Sequence, residues 1–202
     1  MCAIIGYVCR SGEPDIDMLI RVFQESKIRG MHAFGYAFHQ AGLLTVRRSL
    51  NLKEIEAHLL EDRPSAVIGH CRYSTSGDYR NMLNNQPIER DGRAVVVNGV
   101  IDMGTKPEME RRYDVNMNTE NDAELSLFWD NPASAVGNIS GSFAGLFLNS
   151  PTEILAVRNV RRPAYIVQEQ NFGLVASTVD ILRRSGIQQT AWVLPVGSPV
   201  LL

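Results

Sequence analysis

Cysteine is scarce in this chain: three residues in 202, at positions 2, 9 and 71. An odd number with no C-x-x-C spacing argues against a disulfide framework and against a structural zinc site. Long apolar runs are missing too. No stretch reaches the ~18 residues of a membrane-spanning helix, and the N-terminus lacks a basic segment followed by an apolar core of the signal-peptide kind. Charge of one sign is equally absent in excess. Twenty Lys and Arg stand against 22 Asp and Glu, for a formal net charge of -2, with no long run of either sign. The electrostatic footprint of a nucleic-acid binder is therefore missing. These absences lead to the expectation of a cytoplasmic protein with neither nucleic acid nor membrane among its partners. A composition of 45% hydrophobic and 21% charged residues suits one domain, or at most two small ones.

What is present is a series of short apolar runs, each ending at Gly, Asn, Asp or Pro. They predict strands at 3–9, 34–39, 43–48, 65–71, 94–98, 142–148, 153–157, 164–168, 172–176 and 198–202. Helical spacing appears at 15–28, where Ile16, Leu19, Ile20, Phe23 and Ile28 fall largely on one face, at 51–61, and at 120–129 behind an acidic start. A shorter helix is expected after Ser177, with Asp180 to Arg184 as its body. The polar stretch 76–93 and the segment 103–119 read as loops, the first long enough to suggest a function. Hairpin-like strands with helices inserted in groups favour antiparallel sheets with helices outside, an α+β layered domain.

The chain opens on "MCAIIGYVCR". Cys2 reads in two ways. It is a small apolar residue opening a buried strand, or, once Met1 is removed, a residue carrying a thiol and a free α-amine together. The thiol is a nucleophile, and the amine, with an intrinsic pKa of about 7.7–8.0, is a base near working pH.

Further along, "GHCRYSTSGDYRNMLNNQPIE" hands a strand over to a polar loop. Arg72 offers a planar fork of donors suited to a carboxylate, and Thr75 and Ser76 offer hydroxyls; an ordinary surface turn is the plainer reading. In "RAVVVNGVID", Asn98-Gly99 is either a hairpin turn or a pair of oxyanion donors, the Asn98 amide and the Gly99 N–H. The hairpin is weakened because Val100-Ile101 is short before Asp102, Gly104 and Pro107 intrude. In "NTENDAELSLFW", Asp122 lies just inside a helix start, where it either compensates the helix end or holds an ammonium group. In "KIRGMHAFGYAF", Arg29 and Gly30 sit at a helix end, Gly30 as its C-cap.

Taken in order, "C-x-I-I-G", "RGxxAFG", "GHCRYST", "NNQPI", "VVVNG" and "ENDAE", with "VASTVDIL" near the end, resemble the class II glutamine amidotransferase domain. This is the N-terminal-nucleophile glutaminase found in glucosamine-6-phosphate synthase, amidophosphoribosyltransferase, asparagine synthetase and glutamate synthase. The likeness runs from residue 2 to the C-terminus. Ala3 stands where the family usually has Gly, and His32 and Ala33 replace the Asp and Ser of its "RGxDSxG" segment.

The resemblance implies a four-layer αββα sandwich of two stacked antiparallel sheets, with residues 2–202 as a single glutaminase domain. It implies L-glutamine as substrate, Cys2 as nucleophile, Asn98 and Gly99 as the oxyanion hole, and a γ-glutamyl thioester on the way to glutamate and ammonia. Arg72, helped by Thr75, would bind the substrate carboxylate and Asp122 its ammonium, with Arg29 supporting the nucleophile. No metal or organic cofactor is implied, and His32, His39, His58 and His70 are expected to be structural, with Cys9 and Cys71 as buried spectators. Because the likeness occupies the whole chain, the ammonia acceptor is expected on a separate synthase subunit. Two other readings remain at this level: a binding or regulatory module of the same fold with weak catalysis, for which His32 speaks, and an N-terminal-nucleophile hydrolase acting on another amide.

Overall fold

Strand β1 (Ala3–Cys9) is buried from Ala3 to Val8 without alternation. A strand so apolar on both faces needs a cover on each side, and the computed structural model, which describes residues 1–75 and 77–202, supplies both. In chain order come α1 (Ile16–Ser26), β2 (Ala33–Gln40), β3 (Leu43–Ser49), α2 (Leu52–Asp62), β4 (Ala66–Arg72), β5 (Ile88–Arg90) and β6 (Arg93–Val100). Then follow α3 (Lys106–Tyr113), α4 (Pro132–Gly137), β7 (Ser142–Leu148), β8 (Ile154–Arg158), β9 (Tyr165–Gln168), β10 (Phe172–Ala176), α5 (Val179–Arg184), β11 (Trp192–Val193) and β12 (Val200–Leu201). Short 3-10 helices occupy Lys27–Arg29, Met82–Asn84 and Asp122–Phe128.

The strands form two antiparallel sheets. One has the order β11-β9-β10-β1-β4-β2-β3, the other β12-β8-β7-β6-β5. Between them lie Ile4, Val8, Ala66, Ile68, Ala94, Val96, Leu146 and Val175, all buried. The opposite face of the larger sheet is covered by α1, α2 and α5 through Leu19, Phe23, Ile55, Leu59 and Leu182. The outer face of the smaller sheet is covered by Met109 of α3, Leu125 and Leu127 of the third 3-10 helix, and Val136 of α4. Helix, sheet, sheet, helix is thus the order of layers, the αββα sandwich. Each fully buried Ile, Leu or Val contributes about 1.5–3 kcal/mol, so this layered interior is the main favourable term in the fold.

Several expectations need correction. The segment 103–119 is not a loop throughout: α3 starts with Pro107 in its first turn and a capping box of Thr105 and Glu108. The periodicity there is weak because only Met109 turns inward. The stretch 76–93 contains a 3-10 turn and β5. The predicted helix at 120–129 is a 3-10 helix, 122–128, and the last strand shrinks from 198–202 to two residues. Helix α4 and strand β11 carried no legible signal, being six and two residues long. Cys71 is buried as expected, but Cys9 is only half-buried, with its Sγ near Ser11 O and Gly12 O.

Candidate functional site

Strand periodicity builds the site. Residues of alternate parity share a face. In β4, Ala66 and Ile68 face the smaller sheet, and the same parity carries His70 and Arg72. In β6 the inward set Ala94 and Val96 continues to Asn98; in β10, Val175 continues to Ser177; at the start of β1, Ile4 is preceded by Cys2. The apolar layer between the sheets therefore turns polar at one end, where Cys2, His70, Arg72, Asn98 and Ser177 follow on from Ile4, Ile68, Val96 and Val175.

Cys2 sits with its Sγ 3.6 Å from Tyr73 O, and its own carbonyl accepts a 2.9 Å bond from Arg29 Nε. Arg29 reaches it because the 3-10 turn Lys27–Arg29 lies directly on the end of β4. Gly30 permits that approach: a Cβ there would stand 2.4 Å from the carbonyl carbon of Arg72 and 2.6 Å from Tyr73 N. Gly30 is the C-cap of the turn, as expected, with extended backbone (φ -167°). Burial pushes the Cys2 thiol up, against the pull of the neighbouring Arg72 and Arg29 charges. Burial likewise lowers Arg29, and Arg162 close by adds to that.

Asn98-Gly99 is not a hairpin. Both residues lie within β6, opposite Ala144 and Phe143 of β7. A Cβ at position 99 would fall 1.9 Å from Ser142 O, so only glycine fits this register. Asn98 Nδ2 donates to Ser177 Oγ at 3.5 Å, and the same oxygen accepts from Ile4 N at 2.9 Å. One hydroxyl thus joins the smaller sheet to β1. The Asn98 amide keeps a second hydrogen.

Arg72 is buried. Its Nη1 donates to Asn85 Oδ1 at 2.5 Å and its Nη2 to Gly77 O at 3.4 Å. Burial lowers its pKa, opposed by Cys2, Asp122 and Asp78. Asn85 in turn donates to Tyr79 O at 2.7 Å. Asn84 donates to Glu120 Oε2 and accepts from Glu120 N, both at 2.9 Å. Beyond the short β5, Val97 N has no strand partner on that side and donates to Gln86 Oε1 instead, at 2.5 Å. Asn121, not Asp122, is the N-cap of its 3-10 helix. The Asp122 carboxylate is raised by burial and accepts from Ile101 N at 2.6 Å and Asp102 N at 3.2 Å. It is held by the chain leaving β6 and interacts electrostatically with Arg72.

Cys2, Arg29, Arg72 and Asp122 are thus linked by bonds or field, Asn98 is tied through Ser177 Oγ to Ile4 N of β1, and Gly99 is adjacent in β6. Thr75 is exposed on the loop after Arg72, and Ser76, suggested as a second hydroxyl, lies outside the described residues. Asn84, Asn85, Gln86 and Ser177 were not assigned roles by sequence reasoning. The run of three side-chain amides in "NNQPI" was the available signal for the first three; a serine one residue past a strand gave none.

His70 lies one alternate position below Arg72. Burial and the Arg72 charge pull its pKa down to about 3. The folded protein thus keeps it neutral where the unfolded chain, with a pKa near 6.5, takes up a proton. Stability is fully present above about pH 6.5 and is lost as pH falls toward 3, by up to about 1.4 kcal/mol per pH unit from this residue. Urea unfolding between pH 7 and 4.5 is expected to show that slope, and His70→Asn to flatten it. An unchanged slope in the variant would contradict the assignment.

No family model matches the sequence, and no match to a curated protein is found. Solved structures do match. The glutamine phosphoribosylpyrophosphate amidotransferase of B. subtilis is 18% identical, with a TM-score of 0.77, over 99% of this chain and 47% of its own. The allosteric regulatory enzyme of purine biosynthesis is 18% identical, with a TM-score of 0.78, over 99% of this chain and 46% of its own. A glutamine aminotransferase class-II domain protein of Silicibacter pomeroyi is 12% identical, with a TM-score of 0.56, over 100% of this chain and 98% of its own. The chain spans about half the length of the first two. No helix among the described residues is long and apolar enough to cross a membrane. Two antiparallel sheets between helical layers, matched over 99% of the chain, give this protein the αββα sandwich fold of these amidotransferase structures.

Proposed function

We propose that residues 2–202 form a glutaminase domain that hydrolyses the side-chain amide of L-glutamine and supplies the ammonia to an acceptor. The observation that carries the reading is the position of Cys2. It lies at the polar end of the inter-sheet layer, bonded to Arg29, within the field of Arg72, and on the same layer as Asn98.

With Met1 removed, the Cys2 amine, acting through a water, takes the thiol proton as sulfur attacks the amide carbon. Asn98 Nδ2 and Gly99 N–H hold the tetrahedral oxyanion. The C–N bond breaks, the proton returns to nitrogen, and ammonia leaves a γ-glutamyl thioester. Water adds to the thioester and releases glutamate and the free thiol. Arg72, with Thr75, takes the substrate α-carboxylate, and Asp122 takes the α-ammonium. Opposite charges on Arg72 and Asp122 match the zwitterionic head of an amino acid, which favours glutamine over other amides.

A glutamine analogue with an electrophilic carbon at its side-chain end tests this. Peptide mapping is expected to find the label on Cys2 and not on Cys9 or Cys71, and label on either of the others instead would overturn the mechanism.

Arg72→Ala and Asp122→Asn are expected to act chiefly on KM for glutamine. Truncating one member of a buried charge pair costs roughly 2–5 kcal/mol, so KM is expected to rise about 30-fold or more. Steady-state kinetics of glutamate release checks this, and an unchanged KM in Arg72→Ala would remove the carboxylate assignment.

A further inference from the structure

Resting on the glutaminase reading, we infer that His32 is the positioning residue for the substrate-binding loop, fixing the peptides on either side of Tyr73 so that Arg72 and the Tyr73 carbonyl are held against Cys2. His32 N donates to Arg72 O at 3.0 Å, before Tyr73. Its ring Nδ1 accepts from Ser74 N at 3.0 Å, after Tyr73. Between these two bonds lies the carbonyl that the Cys2 thiol meets at 3.6 Å. The ring is also sandwiched. It stacks on Tyr73 at 4.8 Å and 26°, and on Tyr79 at 4.9 Å and 22°. The Arg80 guanidinium lies over the Tyr79 ring, 5.5 Å from its centroid.

Tyr79 O is itself bonded by Asn85, which holds Arg72. One ring thus stacks on Tyr73, next to Arg72 in the chain, and on Tyr79, tied through Asn85 to the guanidinium proposed to take the carboxylate. An acceptor at Nδ1 places the ring hydrogen on Nε2 in the neutral form. The contact has two separable parts, an acceptor and an aromatic face.

Three substitutions separate them. His32→Phe keeps a stacking ring and loses the acceptor, His32→Asn keeps an acceptor and loses the stack, and His32→Ala loses both. His32→Ala is expected to raise KM for glutamine about tenfold, the scale of one buried hydrogen bond left unmade, with kcat changed less. Phe and Asn are each expected to restore part of the loss. Hydrogen exchange at Ser74 N–H is expected to accelerate in His32→Ala and His32→Phe and to stay slow in His32→Asn. Unchanged KM and unchanged Ser74 exchange in His32→Ala would overturn the inference. If the unmodified protein releases no glutamate at all, the glutaminase reading fails, while the exchange pattern still reports whether His32 holds the loop.

Discussion

Protein that retains Met1 is expected to release glutamate at a small fraction of the rate of protein from which Met1 has been removed, and Cys2→Ala to be inactive in either form. A peptide nitrogen carries no basic lone pair, whereas the free α-amine titrates at about 7.7–8.0, close to working pH. No histidine is assigned the task of activating the thiol, so the chemistry as proposed depends on this amine. The structure shows Met1 largely exposed, with its sulfur 3.3 Å from Arg162 Nη1 and 3.7 Å from Arg29 Nη2. Its side chain thus occupies space beside Arg162 and beside Arg29, which bonds the carbonyl of the proposed nucleophile. Intact mass sorts the two forms, and a glutamate assay on each gives the ratio. Full activity with Met1 intact would rule out the amine as base. Cys9→Ala and Cys71→Ala are the controls and are expected to keep most of the activity; burial holds the Cys71 thiol far above its ordinary pKa, so it supplies little thiolate.

Asn98→Ala is expected to lower kcat by roughly a hundredfold or more, with KM changed little, because an oxyanion donor acts on charge that develops only in the transition state. Asn98 also bonds Ser177, so the variant removes an anchor as well as a donor. Ser177→Ala separates the two: the amide remains, its anchor goes, and a loss well below that of Asn98→Ala is expected. A thermal melt of each variant checks that the sheets stay together. A change confined to KM would mean that Asn98 binds the ground state and is no oxyanion donor.

The layered architecture was legible where the chain spelled out strands. The ladder of β1, β4, β6, β7 and β10 follows apolar runs that end at turn residues; the bounds of β1, β7 and β10 are those expected, and those of β4 and β6 differ by one or two residues. Structure made by capping rather than by periodicity was not legible. Helix α3 turns one side chain inward and is fixed by Thr105 and Glu108, and the backbone at 122–128 tightens to a 3-10 helix that side-chain spacing alone does not distinguish.

At the site, residue types that carry chemistry were readable from motif order, but their supports were not. Nothing local marks Ser177 as the link between β1 and Asn98, or Gln86 as the substitute for a missing strand. His32 is instructive. Read as a departure from a family aspartate, it favoured a weakened module; in the structure it is bonded and stacked in place, its ring accepting a loop N–H as a carboxylate can.

The bond from Asn98 to Ser177 spans two sheets, and this has a mechanical consequence. The proposed nucleophile rides on the larger sheet and the proposed oxyanion donors on the smaller. The distance between the two is therefore the thickness of a wall, set by the girth of Ile4, Ile68, Val96 and Leu146 behind it. Such interiors are close-packed and resist compression. The spacing of the reacting groups is held by the filling between the sheets, with a single hydroxyl as the spacer at the rim, and swelling that filling by a methyl group anywhere along its length acts on the gap as a wedge acts on a hinge.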